Sequence, residues 1–136
     1  MPILCVDLMI INGGKCLLIK RDNEPAKEEY WFPGGRILKL ETIKDAALRK
    51  AKEEVNLECD FQHIVSIEET IFKKTGRMST DMHTVNVVCR LTTDKIDEIK
   101  LDNLHKNYIW ISYEEIVGLN LHIALLNPLK IEFSKL

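Results

Sequence analysis

Hydrophobic and polar residues follow two rhythms along this chain. Residues 3–11 (ILCVDLMII) and 16–20 (CLLIK) are short, almost continuous apolar runs, which predicts strands. Asn12, Gly13 and Gly14 between them are a hairpin signal. A polar loop over residues 22–29, containing Pro25, comes next. Residues 42–55 then switch to a helical period, in which Ile43, Ala47, Ala51 and Val55 recur every four positions and form one apolar stripe. Thr42 is the expected N-cap, and Asp45 three residues later completes a capping-box pattern. Residues 61–73 (FQHIVSIEETIFK) read as a strand again, with a bend expected near Ser66. A polar tip over residues 74–81 turns at Gly76, and residues 83–92 (HTVNVVCRLT) alternate as a strand that pairs back on the previous one. Residues 93–107 are charged and read as a loop or frayed turn. Residues 108–111 (YIWI) form a short strand, after which Ser112 caps a short helix over 113–117 with Glu115 at its capping-box position. From about Leu121 the chain is helix-prone, and Pro128 is expected either to start a helix or to break one.

Strands interleaved with two main helices predict an α/β fold, a mixed sheet with a helix on each face. No repeat, low-complexity tract or linker interrupts the pattern, so residues 1–136 are expected to form one domain. The apolar share of 46% and charged share of 29% are those of an ordinary globular protein. Net charge is −2, and no stretch interleaves basic and aromatic residues, which argues against nucleic acid as a main partner. No apolar run has membrane-spanning length, and the first apolar segment carries Asp7 and lacks a basic leader. A cytoplasmic location without membrane contact is the resulting expectation. Cys5, Cys16, Cys59 and Cys89 have no metal-type spacing, so buried thiols are expected in place of disulfides.

Candidate chemistry concentrates in residues 34–57, GGRILKLETIKDAALRKAKEEVNL. The glycine pair Gly34-Gly35 follows Trp31, Phe32 and Pro33. Glu41 comes six positions after Gly35, Arg49 eight positions later, and then the acids Glu53 and Glu54. On a helix, Arg49 neighbours Glu53 and Lys50 neighbours Glu54. The two acids project from the last turn, within reach of a loop that packs across it. Carboxylate oxygens there suit Mg²⁺ or Mn²⁺, which bind oxygen and keep waters and phosphates as further ligands. A glycine turn lets the backbone approach a metal or phosphate. Asn56 suits a left-handed helix terminus.

This stretch resembles the Nudix box, G-x5-E-x7-R-E-U-x-E-E-x-G-U with U aliphatic, through Gly35, Glu41, Arg49, Ala51, Glu53, Glu54 and Leu57. It departs at Lys50, where the family has its first helical glutamate, and at Asn56, where it has glycine. The Lys50 change shifts the local charge by two units and removes an oxygen ligand, so a site built to gather several cations would hold fewer. The resemblance implies an α/β/α sandwich, a fold that often pairs as a homodimer, and a divalent cation at a substrate diphosphate.

Beyond the box, the chain is similar to the GDP-mannose mannosyl hydrolase branch, which also lacks that first glutamate. The similar stretches are LCVDLMII, LLIKRDNEPAKEEYWFPGGR, GGRILKLET and LDNLHKNYIW. In that branch water attacks the anomeric carbon, the nucleoside diphosphate leaves on a metal ion, and a histidine takes the water's proton. Carried over, the resemblance implies that Glu54, with Glu53 beside it and the Gly34 carbonyl, holds the metal. His105 is the implied base, and Arg49 belongs to the same catalytic segment in a partly structural role. Asp7 is implied to hold the sugar, Arg21 to neutralise the leaving diphosphate, and Arg36 to touch phosphate or sugar. Leu104 stands where that branch has a polar metal ligand, and Glu53 is an acid more typical of ordinary Nudix pyrophosphatases. Outside the resemblance, His105 reads as a solvated loop histidine, Asp7 as a strand-edge acid and Arg21 as a hairpin-end cation. Three functions remain open at this point: hydrolysis of a nucleotide sugar to nucleoside diphosphate and sugar, conventional pyrophosphatase cleavage of nucleotide sugars or (deoxy)nucleoside triphosphates, and a silent nucleotide-binding module.

Overall fold

The first two apolar runs fold back on each other as expected, but their pairing ends almost at once. In the computed structural model, β1 (Ile3–Asn12) and β2 (Lys15–Arg21) pair only through Ile11 with Cys16 and Asn12 with Lys15. Beyond those pairs the strands diverge like a fork. Residues 30–36 fill the opening. β3 (Tyr30–Trp31) pairs with β2, β4 (Gly34–Arg36) pairs with β1, and the Leu8 N–H donates to the Pro33 carbonyl at 2.8 Å. Residues 1–22, 29–73, 80–102 and 105–133 are described; Asn23, Pro25, Ala26, Gly76 and Leu104 lie outside the described residues.

The remaining strands extend this centre in both directions. β6 (Met82–Thr92) runs parallel to β1, from Ile3 opposite Thr84 to Ile11 opposite Thr92. β5 (Asp60–Phe72) lies antiparallel to β6, and β7 (His105–Ile111) lies antiparallel to β2. The result is a mixed sheet of seven strands in the order β3-β2-β1-β6-β5, with β4 on β1 and β7 on β2.

The apolar runs are continuous because both faces of the sheet are covered. Val6, Leu8, Ile10, Leu17 and Ile19 pack with Ala47, Ala51 and Val55 of α1 (Ile43–Val55). Met9, Ile11, Cys16 and Leu18 pack with Leu125, Leu129 and Phe133 of α2 (Ile123–Phe133). Full burial of one such side chain stabilises the fold by roughly 1.5–3 kcal/mol. The α/β sandwich expected from the sequence is the architecture found. Cys5, Cys16 and Cys89 are buried free thiols and Cys59 is half-buried. Among the described residues, no helix is long and apolar enough to cross a membrane.

α1 forms as its sequence dictates. The Thr42 Oγ1 accepts from the Asp45 N–H at 3.1 Å, and Asn56 closes the helix in the left-handed region at φ 59°. The bend expected near Ser66 corresponds to a register shift between Ile64 and Ser66.

Three elements differ from the reading of the sequence. β7 begins at His105, not at residue 108, because the outer edge of β2 offers backbone partners to polar residues as well: Lys20 faces Asn107 and Arg21 faces His105. The segment after Ser112 is a 3-10 turn over Glu114–Gly118, in which the Ser112 N–H and Oγ both donate to Glu115 Oε1. Finally, α2 runs through Pro128. An interior proline costs about 3 kcal/mol or more through its missing N–H and ring clash. Burial of Ala124, Leu125, Pro128, Leu129 and Phe133 offsets that cost, and His122 starts the helix by accepting the Ala124 N–H on Nδ1 at 3.0 Å.

Candidate functional site

The segment that fills the fork carries the glycine pair to the last turn of α1. Gly34 lies opposite Asp7 on β1, so tightly that a Cβ there would sit 2.2 Å from the Val6 carbonyl oxygen. Only glycine fits that approach. Its N–H donates to Glu54 Oε1 at 2.8 Å. This bond leaves Glu54 Oε2 for another partner. Glu54 is buried, and burial raises its carboxyl pKa against the opposing pull of the Gly34 N–H and Lys50.

The far side of this corner is built by backbone bonds at the end of α1. The Lys100 N–H donates to the Val55 carbonyl at 2.9 Å, the Asp102 N–H to the Glu54 carbonyl at 3.0 Å, and the Asn56 side-chain amide to the Glu98 carbonyl at 2.9 Å. These bonds dock residues 98–102 across the helix end. Asp102 Oδ1 then lies 2.5 Å from His105 Nδ1. A carboxylate oxygen only accepts, so Nδ1 is the donor in this pair, which leaves Nε2 as the ring nitrogen that can accept. His105 is buried at the start of β7 and is not a solvated loop histidine. Donor atoms of Glu54, Asp102 and His105 all lie within 4.8 Å of one another. The two carboxylates suit a hard divalent cation such as Mg²⁺ or Mn²⁺, and an imidazole nitrogen is tolerated better by Mn²⁺. The donor set therefore fits the ion that the sequence implies.

Glu54 and His105 open onto a cleft of about 460 Å³. Asp7, Arg21, Gly34, Arg36, Glu54 and His105 all line it. Arg21 ends β2 directly opposite His105 in the register of the two strands, and Arg36 ends β4. Asp7 is a buried acid in mid-sheet, not the strand-edge acid of its bland reading. Burial pushes its pKa up to about 7, against the Asn86 hydrogen bond and the charge of Arg21. Its Oδ1 accepts from the Asn86 amide at 3.2 Å, and its Oδ2 makes no hydrogen bond of ordinary geometry among the described residues. Behind Asn86, Thr84 Oγ1 donates to the side-chain Oδ1 of Asn86 at 2.6 Å, and the Thr70 hydroxyl bonds Thr84. With the Thr84 proton used on Asn86, Thr70 must donate to Thr84. The protons thus run one way, from Thr70 to the Asp7 carboxylate.

Arg49 and Glu53 sit beside the cleft and do not line it. Arg49 grips Glu41 with two bonds, at 2.7 and 3.0 Å, and also reaches the Arg36 carbonyl and both Glu53 oxygens. The Arg49 hydrogen bonds, and then the Leu38 N–H, hold the Glu41 carboxyl down to about 2. Arg49 thereby ties the loop after β4 to α1. Glu53 is half-exposed, with its carboxylate bonded by Arg49 and Lys50.

Sequence reading did not single out Asp102, Asn86, Thr84 or Thr70. Asp102 left a weak signal in the D-x-x-H spacing to His105, and Asn86 left one as an amide inside the apolar run VNVVC.

Comparison with known proteins agrees with this architecture. The chain is 32% identical over 105 residues to the low-salt glycan biosynthesis protein Agl8 of Haloferax volcanii, covering 76% of this chain and 67% of that protein. It is 43% identical over 56 residues to the ADP-ribose pyrophosphatase of Methanocaldococcus jannaschii, a match spanning 41% of this chain and a third (33%) of that protein. The crystal structure of the MutT protein from Methanosarcina mazei Go1 superposes with a TM-score of 0.80 at 21% identity, covering 98% of this chain and 94% of that one, which shows a common fold. A sequence model described as the NUDIX domain matches residues 1–133. Because that match takes in the forked hairpin, the glycine wedge and both helices, this chain belongs to the NUDIX family and is a Nudix hydrolase.

Proposed function

We propose that this Nudix hydrolase acts, with a divalent cation, on a nucleoside diphosphate joined to a sugar. In this reading it cleaves the carbon–oxygen bond of a nucleotide sugar such as GDP-mannose, giving nucleoside diphosphate and free sugar. The observation that carries the reading is the Asp102–His105 pair beside Glu54. A histidine oriented through Nδ1 by a carboxylate, with Nε2 turned to accept, is the arrangement a general base needs.

Glu54 Oε2 and the Gly34 carbonyl would hold the ion, with Asp102 close by and Glu53 contributing through the lysine it shares with Glu54. When bound, the ion stabilises negative charge developing on the diphosphate. The chain's own residues do the rest. His105 Nε2 takes a proton from water as the water oxygen bonds to the anomeric carbon. The bond from that carbon to the diphosphate oxygen breaks, and its electron pair leaves with the diphosphate. Arg21 and Arg36 meet the phosphate oxygens, since guanidinium forks match their geometry. Asp7, held through one oxygen by the Asn86 amide, accepts from a sugar hydroxyl. Arg49 holds the loop after β4 in place. The glycan-biosynthesis name of the Haloferax volcanii relative points the same way.

A conventional pyrophosphatase is the second reading. The acid pair Glu53-Glu54 and the name of the Methanocaldococcus jannaschii relative favour it. Product analysis separates the two. With Mg²⁺ and GDP-mannose, GDP plus free mannose is expected, and ¹⁸O from labelled water enters the sugar. GMP plus mannose 1-phosphate, with label on phosphate, would establish the second reading. ADP-ribose and nucleoside triphosphates complete the panel. Binding of all of them without turnover under any metal would leave a silent nucleotide-binding module.

A further inference from the structure

Lys50 is seated in a way that a solvated surface lysine does not require. Its stem lies over Gly35, where a Cβ would fall 2.5 Å from Lys50 Cε and 2.9 Å from Nζ. The missing side chain of Gly35 is what lets the stem pass. The ammonium ends between two carboxylates, 3.3 Å from Glu53 Oε2 and 3.7 Å from Glu54 Oε2. Its side chain is only 17% exposed and lines the cleft beside Gly34 and Arg36.

An ammonium bridging two carboxylates at these distances does the electrostatic work of a cation bound between them. It also has three donors, so two carboxylate contacts leave one for the cleft. Charge balance gives that donor a purpose. A single divalent ion next to Glu54 and Asp102 is already matched by those two carboxylates. The charge of a diphosphate must then be met by groups of the chain itself, and the Lys50 ammonium stands 3.7 Å from the ion's carboxylate.

We infer that Lys50 is a tethered cation that takes the place of a second divalent ion and binds diphosphate oxygens. The inference rests on the metal-dependent reading above and concerns how many ions that site recruits. A cation built into the helix is present at any metal concentration.

Two variants and two probes test it. Mn²⁺ is titrated alone and followed by the spin-resonance signal of the free ion; Mn²⁺–pyrophosphate binding is followed by calorimetry. The wild-type chain should bind one Mn²⁺ in the cleft, and Lys50→Glu should bind two. Lys50→Met keeps the stem over Gly35 and removes the charge. It should still bind one ion, keep its Tm, and bind Mn²⁺–pyrophosphate about tenfold more weakly, the value of one charge-assisted hydrogen bond. Unchanged pyrophosphate affinity in Lys50→Met overturns the inference, as does an equal ion count in wild type and Lys50→Glu. A wild-type chain that binds no Mn²⁺ removes the metal-dependent reading, and this inference with it. A failure confined to the Lys50 variants leaves that reading intact.

Discussion

The last turn of α1 carries two adjacent acids with different surroundings. The Glu53 side chain is 50% exposed and is clasped by Arg49, which also holds Glu41 and the Arg36 carbonyl. The Glu54 side chain is 8% exposed, bonded by the Gly34 N–H and faced by Asp102 and His105. The outer network joins a loop to a helix through charged groups that water screens. The inner corner holds fewer contacts, but it holds them at low dielectric beside a cleft. Exposed ion pairs contribute little to stability, whereas charges directed into a shielded site decide chemistry. Two neighbours in sequence therefore have different surroundings, one clasped in a surface network and one set at the cleft, and under the function proposed above the second is the reactive one.

This contrast can be broken by substitution. Glu54→Gln should show the largest effect, a loss of about a thousandfold in kcat together with loss of Mn²⁺ binding. His105→Ala should cost about a hundredfold. Asp102→Asn should cost about tenfold, the scale of a residue that orients another, and should shift the pH–rate profile that His105 sets. If Asp102→Asn leaves that profile unmoved, the pairing of Asp102 with His105 has no role in the reaction.

Next in size is a pH effect on stability. The Asp7 carboxyl, raised by burial from 3.8 to about 7, keeps its proton in the folded chain after the unfolded chain has lost it. Its contribution is complete below its unfolded value and is lost as pH rises through about 7. Tm should fall over that window, and Asp7→Asn should flatten the fall. Glu41 acts in the opposite sense. Its contribution is present above 4.5 and is lost as pH falls through about 2. Melting curves across pH, for wild type and Asp7→Asn, separate the two. The smallest effect belongs to Glu53→Gln, a change in kcat within about fivefold. A loss there as large as that in Glu54→Gln would erase the distinction between the two acids.

Much of this arrangement was legible in the chain because it is local. α1, its Thr42 cap and its Asn56 terminus follow from residues within a few positions of each other. So does the adjacency of Arg49 to Glu53 and of Lys50 to Glu54. The parts that were not legible depend on backbone docking or strand register. Asp102 reaches the corner because main-chain bonds pin residues 100 and 102 to the carbonyls of Val55 and Glu54, and such bonds need no particular side chain. Asn86 meets Asp7 because β1 and β6 run parallel in one register among several that the apolar pattern allows. Pro128 misled for a related reason. Local propensity ends a helix there, and burial of the surrounding residues overrides it.

The forked hairpin also governs how this centre is assembled. Val6 with Gly35 and Asp7 with Gly34 join residues far apart in the chain, so the entropy of closing that loop is spent before the pairs return any stabilisation. The glycine wedge has no local structure to hold it while β1 and β2 lie apart. Competence is consequently a property of the finished sheet: a peptide corresponding to α1 can keep its caps and its acids and still have nothing for them to act upon.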